Sequence, residues 1–157
     1  LGLDLSTFYK RRDYTKVVNG KNPIIKHEYL REPVEGKDVL ICDDIISSGE
    51  SMLDIAIELK KRKARNLYLS ATYALFTEGI QAFDKAYEEG IIKRLYATNL
   101  TYRRKELLER PWYVDVDMSD FLAYLIDVLN FDQSISPLID PSDKINKLLK
   151  EHGIRKD

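Results

Sequence analysis

The chain has 157 residues, and with 44% apolar and 10% aromatic side chains it can bury one domain-sized core. Its 25 basic and 26 acidic residues leave a formal charge of −1, which removes the electrostatic case for a non-specific binder of nucleic acid or of a membrane surface. One cysteine, Cys42, excludes an internal disulfide, and two histidines, His27 and His152, leave no Cys/His spacing for zinc, so a reducing, cytoplasmic setting is expected.

In chain order, Leu1-Gly2-Leu3-Asp4 has no initiating Met and reads as the tail of a helix with Gly2 at its C-cap, so a piece of a longer protein is expected. Leu5 to Tyr9 reads as an extended segment that stops at the basic triplet Lys10-Arg11-Arg12. Asp13 to Lys37, punctuated by Asn19-Gly20, Asn22-Pro23 and Glu35-Gly36, predicts turns with at most a short edge strand at residues 24–29. Val39 to Cys42 is an unalternating apolar run, as in a parallel strand covered on both faces.

Met52, Ile55, Ala56 and Leu59 fall at helical spacing, predicting an amphipathic helix over 51–63 with a basic last turn. A strand at 67–75, a helix at 77–89 and a strand at 91–98 follow, an alternation that implies βαβ units. The charged segment 101–110 reads as partly helical up to Pro111, and 112–116 as a last strand. Ser119 is placed as the cap of a helix whose Leu122, Leu125, Ile126 and Leu129 form a core-facing stripe, and 142–152 as a short amphipathic helix. No uninterrupted apolar run approaches the roughly 18 residues of a membrane-spanning helix.

The chemistry concentrates in DVLICDDIISSGES, residues 38–51. In an open α/β sheet, ligands bind beyond the carboxyl ends of the strands. There, Ser47 to Ser51 would bring backbone N–H groups, a helix N-terminus, the hydroxyls of Ser47, Ser48 and Ser51 and a close backbone approach at Gly49, a set suited to phosphate. Carboxylates repel phosphate, so Asp43 and Asp44 suit vicinal hydroxyls or a Mg²⁺ held directly or through water. Diol and phosphate side by side describe a ribose 5-phosphate group, although Asp and Ser are also the residues that helix caps recruit, and spacing alone leaves both readings open. Lys10-Arg11-Arg12 could neutralise a transferring pyrophosphoryl group or be a solvated loop, and Arg103, Arg104 and Lys105 are read as solvated.

DVLICDDIISSGES resembles the ribose-phosphate-binding motif of type I phosphoribosyltransferase folds. With KRRD at 10–13, EGKDVLICDDII at 35–46, Ala71-Thr72, ATN at 97–99 and QSISPLI at 133–139, the order of the pieces is similar to the ribose-phosphate pyrophosphokinase (phosphoribosyl pyrophosphate synthetase) family. The resemblance covers about residues 3–139. It implies an α/β fold, a mainly parallel twisted sheet flanked by helices, with residues 1–139 as the C-terminal domain of a two-domain synthetase and 140–157 as an extension.

It further implies transfer of the pyrophosphoryl group of MgATP to ribose 5-phosphate, with Lys10 and Arg12 catalytic. Asp43, Asp44, Ser47, Ser48, Gly49, Glu50 and Ser51 would then bind ribose 5-phosphate, and Mg²⁺ would be the cofactor. The expected partners are the two substrates and further copies of the chain, with neither nucleic acid nor membrane. The family usually has an acidic residue where this chain has Ser47, an Ala-Gly pair where it has Gly49-Glu50, Pro where it has Asp13, and often His where it has Tyr73. The alternatives are a phosphoribosyltransferase that consumes the activated sugar, a non-catalytic regulatory homologue, and a phospho-acceptor receiver domain. The last would place its paired acids after the first strand and carry no phosphate-cradle loop behind them.

Overall fold

The structure is a computed structural model that describes residues 3–12, 24–30 and 33–154, without the side chains of 8–12 and 24–30. Asp4–Val116 forms one compact unit and the segment from Asp117 onward a second.

In the first unit, β1 (Thr7–Arg12) and β2 (Ile24–Leu30) pair antiparallel as a two-stranded ribbon, with Lys10 opposite His27 and Arg12 opposite Ile24. The basic triplet is therefore strand, whereas the sequence places it after a strand. The triplet's alternation is hidden because all three positions carry the same charge.

The main sheet holds β3 (Val39–Ile46), β4 (Leu67–Ala74), β5 (Arg94–Thr98) and β6 (Tyr113–Val116), all parallel and in sequence order. Between them run α1 (Glu50–Lys61), α2 (Gln81–Glu88) and the single-turn α3 (Lys105–Leu108). Strands added one after another in one direction, through right-handed crossovers, put all three helices on one face. β4 records this as alternation: Leu67, Leu69 and Ala71 are buried while Tyr68 and Ser70 are half-buried.

The expectation that β3 is covered on both faces is thereby corrected. β3 is an edge strand of this sheet, Val39 and Ile41 pack on the core, and Leu40 and Cys42 are exposed. β3 also runs four residues further than its apolar run, so both aspartates lie within the strand.

Met52, Leu53, Ala56 and Leu59 of α1 and Phe83 and Ala86 of α2 complete the core, with Ile46, Leu95 and Trp112. Burying one such side chain contributes about 1.5–3 kcal/mol. At the amino end of the sheet, Asp38 accepts from Arg65 Nε (2.8 Å) and Nη2 (2.9 Å) and from Asn66 Nδ2 (2.8 Å). The Arg65 guanidinium, with Asn66 behind it, lowers the Asp38 carboxyl to about 2.

The second unit carries α4 (Ser119–Asn130), α5 (Ser136–Ile139) and α6 (Ser142–Glu151). The N-cap of α4 is Met118, and Asp117 before it accepts at Oδ1 from Ser119 N–H (2.9 Å) and Oγ (2.6 Å), so Ser119 is the first helical residue rather than the cap. The stripe read as core-facing is not buried: Leu122, Ile126 and Leu129 are exposed, and Val128 is the buried residue of α4. Among the described residues, no helix is long and apolar enough to cross a membrane.

Candidate functional site

The carboxyl ends of the four parallel strands carry the turn after β3, the β4–α2 connection, the segment after β5 and the end of β6. In the first of these, β3 ends at Ile46, Ser47 is exposed, Ser48 half-buried and Gly49 buried, and α1 starts at Glu50. Gly49 sits at φ +87°, ψ −8°, a left-handed conformation that turns the chain from strand into helix and that side chains other than hydrogen rarely adopt. Its carbonyl accepts the first intrahelical bond, from Leu53 N–H at 3.0 Å. The amides of residues 50–52 therefore stand at the helix end ahead of that bond, where the dipole favours an anion.

Glu50 N–H is 3.4 Å from Ser48 Oγ, so this serine hydroxyl also works locally as a cap. Glu50 lies exposed in the first turn of α1, where a carboxylate complements the dipole.

Asp43 and Asp44 are both exposed. As neighbours on a strand their side chains start from opposite sides of the backbone. Asp43 Oδ1 accepts from Asp44 N–H (2.9 Å), and Asp44 Oδ1 accepts from Ile45 N–H (2.8 Å). Each carboxylate keeps acceptor capacity beyond these single bonds. The aspartates and the Ser47–Ser51 turn thus come together at one strand-to-helix junction. Lys10 and Arg12 have their backbone in β1, and their side chains lie outside the described residues.

Mg²⁺ prefers one or two carboxylates plus substrate phosphates and water to an all-protein cage. Asp43 or Asp44 could supply one such carboxylate, and the described residues contain no cluster of three or more His, Cys, Asp or Glu side chains. This donor set fits a hydrated ion carried with a phosphorylated substrate.

Several contacts beside the junction escape a reading of the sequence. Thr98 Oγ1 donates to Thr72 O at 2.6 Å, tying the ends of β5 and β4. Arg103, expected to be solvated, is instead half-buried in an ion pair with Asp115 of β6, and this corrects the reading. Arg104 makes a long, exposed contact to Glu106 and Lys105 one to Glu109.

Beside Asp115, the Tyr113 hydroxyl is buried with no hydrogen-bond partner among the described residues. Burial first, and the nearby Asp115 carboxylate second, push this phenol up to about 12. Above about pH 10 the unfolded chain ionises its Tyr113 before the folded one, so stability conferred by the buried neutral phenol is lost between about pH 10 and 12. Tyr113→Phe is expected to keep the melting temperature at pH 8 at or above that of the parent, because an unsatisfied hydroxyl is removed, and to shrink the loss at pH 11. Thermal unfolding at the two pH values checks both; a large loss at pH 8 would mean the hydroxyl is satisfied.

Residues 1–88 match the phosphoribosyl transferase domain family. The ribose-phosphate pyrophosphokinase of Thermococcus kodakarensis is 41% identical over 94 residues, which is 57% of this chain and 30% of the relative. That of Mycoplasma pneumoniae is 32% identical over 139 residues, covering 88% of this chain and 40% of the relative. That of Vibrio cholerae is 26% identical over 138 residues, 88% of this chain and 41% of the relative. The chain thus spans less than half the length of these relatives.

A solved structure of phosphoribosylpyrophosphate synthetase from Mycobacterium smegmatis superposes with a TM-score of 0.58 at 19% identity, over 68% of this chain and 34% of that one, a likeness of fold. The parallel sheet, the strand-to-helix turn behind two aspartates and a family match over more than half of its length agree: this chain is a member of the phosphoribosyl transferase domain family.

Proposed function

We propose that this chain supplies the ribose 5-phosphate site of a ribose-phosphate diphosphokinase, which transfers the pyrophosphoryl group of ATP to the sugar and releases AMP. The observation that carries the reading is the junction itself: two exposed carboxylates, a hydroxyl-bearing turn and a helix N-terminus, in that order, at the carboxyl edge of a parallel sheet. The relatives described above add the reaction class.

In this reading Ser47, Ser48 and Ser51 and the amides at Gly49 and Glu50 hold the 5-phosphate. Asp43 and Asp44 accept hydrogen bonds from the vicinal ribose hydroxyls, which fixes the ring and leaves the anomeric hydroxyl turned towards the incoming nucleotide. Mg²⁺ carried with the substrate phosphates would neutralise their charge, and an aspartate of the pair not engaged by a hydroxyl could hold it through water. Lys10 and Arg12, carried over by resemblance, would stabilise charge on the pyrophosphoryl group as it moves. Residues 1–139 would be the C-terminal domain of the synthetase and 140–157 an extension. Cytoplasmic location and homo-oligomeric assembly belong to the same proposal and rest on the resemblance.

A coupled assay of AMP release by the whole protein, with ATP, ribose 5-phosphate and Mg²⁺, tests it. Ribose-phosphate-dependent AMP is the expected product. Its absence overturns the proposal, and release of pyrophosphate from phosphoribosyl pyrophosphate instead would make the protein a phosphoribosyltransferase.

A further inference from the structure

Gly49 is buried against an aromatic ring from a different part of the chain. A Cβ built on it would lie 2.3 Å from Phe83 Cε2 and 2.4 Å from Cζ. Phe83 sits in α2, fully buried. It stacks on Trp112 with ring centroids 5.6 Å apart and meets Phe76 edge-on at 5.1 Å.

The stack is held from behind. Asp84, next to Phe83 on α2, accepts from Trp112 Nε1 at 2.8 Å and pairs with Arg110 at 2.9 Å. Phe76 adopts φ +47°, which costs energy for a bulky side chain and persists only where the surroundings impose it. The residues on either side of Phe76 bind the turn directly: Leu75 N–H donates to Ile46 O (2.8 Å) and Thr77 N–H to Ser47 O (3.0 Å). The turn is thus fixed in three places, at Ile46, Ser47 and Gly49, and each support leads back to the same aromatic cluster.

We propose that Phe83, backed by Trp112, is a positioning residue for the phosphate turn: its ring sets where Gly49 and the amides after it stand, and through them the grip on the sugar phosphate. The inference rests on the reading of that turn as the 5-phosphate site. It gives the cluster a role beyond filling the core, because a packed aromatic interior transmits a displacement where a loosely packed one would absorb it. Trp112, the sole tryptophan of the chain, then becomes a reporter of occupancy at a site it does not touch.

The experiment titrates the chain and its Phe83→Leu variant with ribose 5-phosphate and with ribose, by calorimetry and by Trp112 emission, after checking that both unfold cooperatively. In the parent, ribose 5-phosphate is expected to change Trp112 emission. In Phe83→Leu, affinity for ribose 5-phosphate should fall about tenfold while affinity for ribose, which has no phosphate to present to the turn, stays the same. A general loosening of the fold would weaken both sugars alike and overturns the inference, as does equal affinity for ribose 5-phosphate in both proteins. If Phe83→Leu does not fold, the parent still decides: ribose 5-phosphate that binds without changing Trp112 emission overturns the coupling. If the parent takes up no ribose 5-phosphate, the reading of the site itself fails and the inference falls with it.

Discussion

Gly49→Ala is expected to lower the stability of the chain by about 2–5 kcal/mol and to abolish measurable binding of ribose 5-phosphate. Two independent costs add. An L-residue at φ +87° costs about 1–2 kcal/mol in backbone strain, and forcing a methyl into the Phe83 ring adds about 1–3 kcal/mol of overpacking. Either relief, flattening the turn or moving the ring, displaces the amides at the start of α1. Chemical denaturation and calorimetry on the same preparations measure the two effects, and a Gly49→Ala protein with unchanged stability would mean that the turn is not seated on Phe83. Gly36, before β3, offers a contrast: it also has a positive φ, +71°, but nothing lies within 4 Å of its would-be Cβ, so Gly36→Ala should carry the strain alone.

Lys10→Ala in the whole protein is expected to cut turnover about 10²–10³-fold, the usual cost of removing one preorganised donor from a developing anion. Its effect on the affinity for ribose 5-phosphate should be small, because in the proposed reading the β3–α1 junction, not Lys10, holds the phosphate and the hydroxyls of the sugar. Steady-state and binding measurements separate the two. Equal losses in turnover and affinity would assign Lys10 to ground-state binding or to the integrity of the β1–β2 ribbon. The ribbon gives this a physical form: Lys10 sits opposite His27 in the ladder, so its backbone is held by antiparallel pairing.

How much of this could be seen in the sequence depended on whether the signal was local. The helix expected over 51–63 and the strand expected over 67–75 are local signals, and the structure has them at Glu50–Lys61 and Leu67–Ala74. The apolar run at Val39 suggested a doubly covered strand because it lacked alternation. The sheet shows why that inference failed: helices from successive right-handed crossovers share one face, and an edge strand can expose Leu40 and Cys42 on the other. The sequence predicts β3 only to Cys42, because its last four residues include Asp43 and Asp44, polar positions that favour loops. The β1–β2 ribbon was obscured by Lys10-Arg11-Arg12 and by Asn, Gly and Pro punctuation, and it is defined by cross-strand pairing that no single segment encodes.

The site followed the same division. Asp43, Asp44 and the Ser47–Ser51 turn were visible as a contiguous motif, and the structure places them at one junction. The residues that shape the junction were not visible, because Phe83 meets Gly49 across 34 positions and Arg103 meets Asp115 across 12. Trp112 and Phe83 look in sequence like ordinary core residues. Their relation to the turn exists only in the packed fold.

The central claim is that two carboxylates and one turn form a single sugar-phosphate site. Calorimetric titration of the chain with ribose 5-phosphate, beside its Asp43→Asn/Asp44→Asn double variant, measures it most directly. The expected result is saturable binding by the parent and a loss of at least tenfold in affinity in the double variant, about 1.4 kcal/mol or more. Equal affinity in the two proteins, or no binding to the parent, would contradict it.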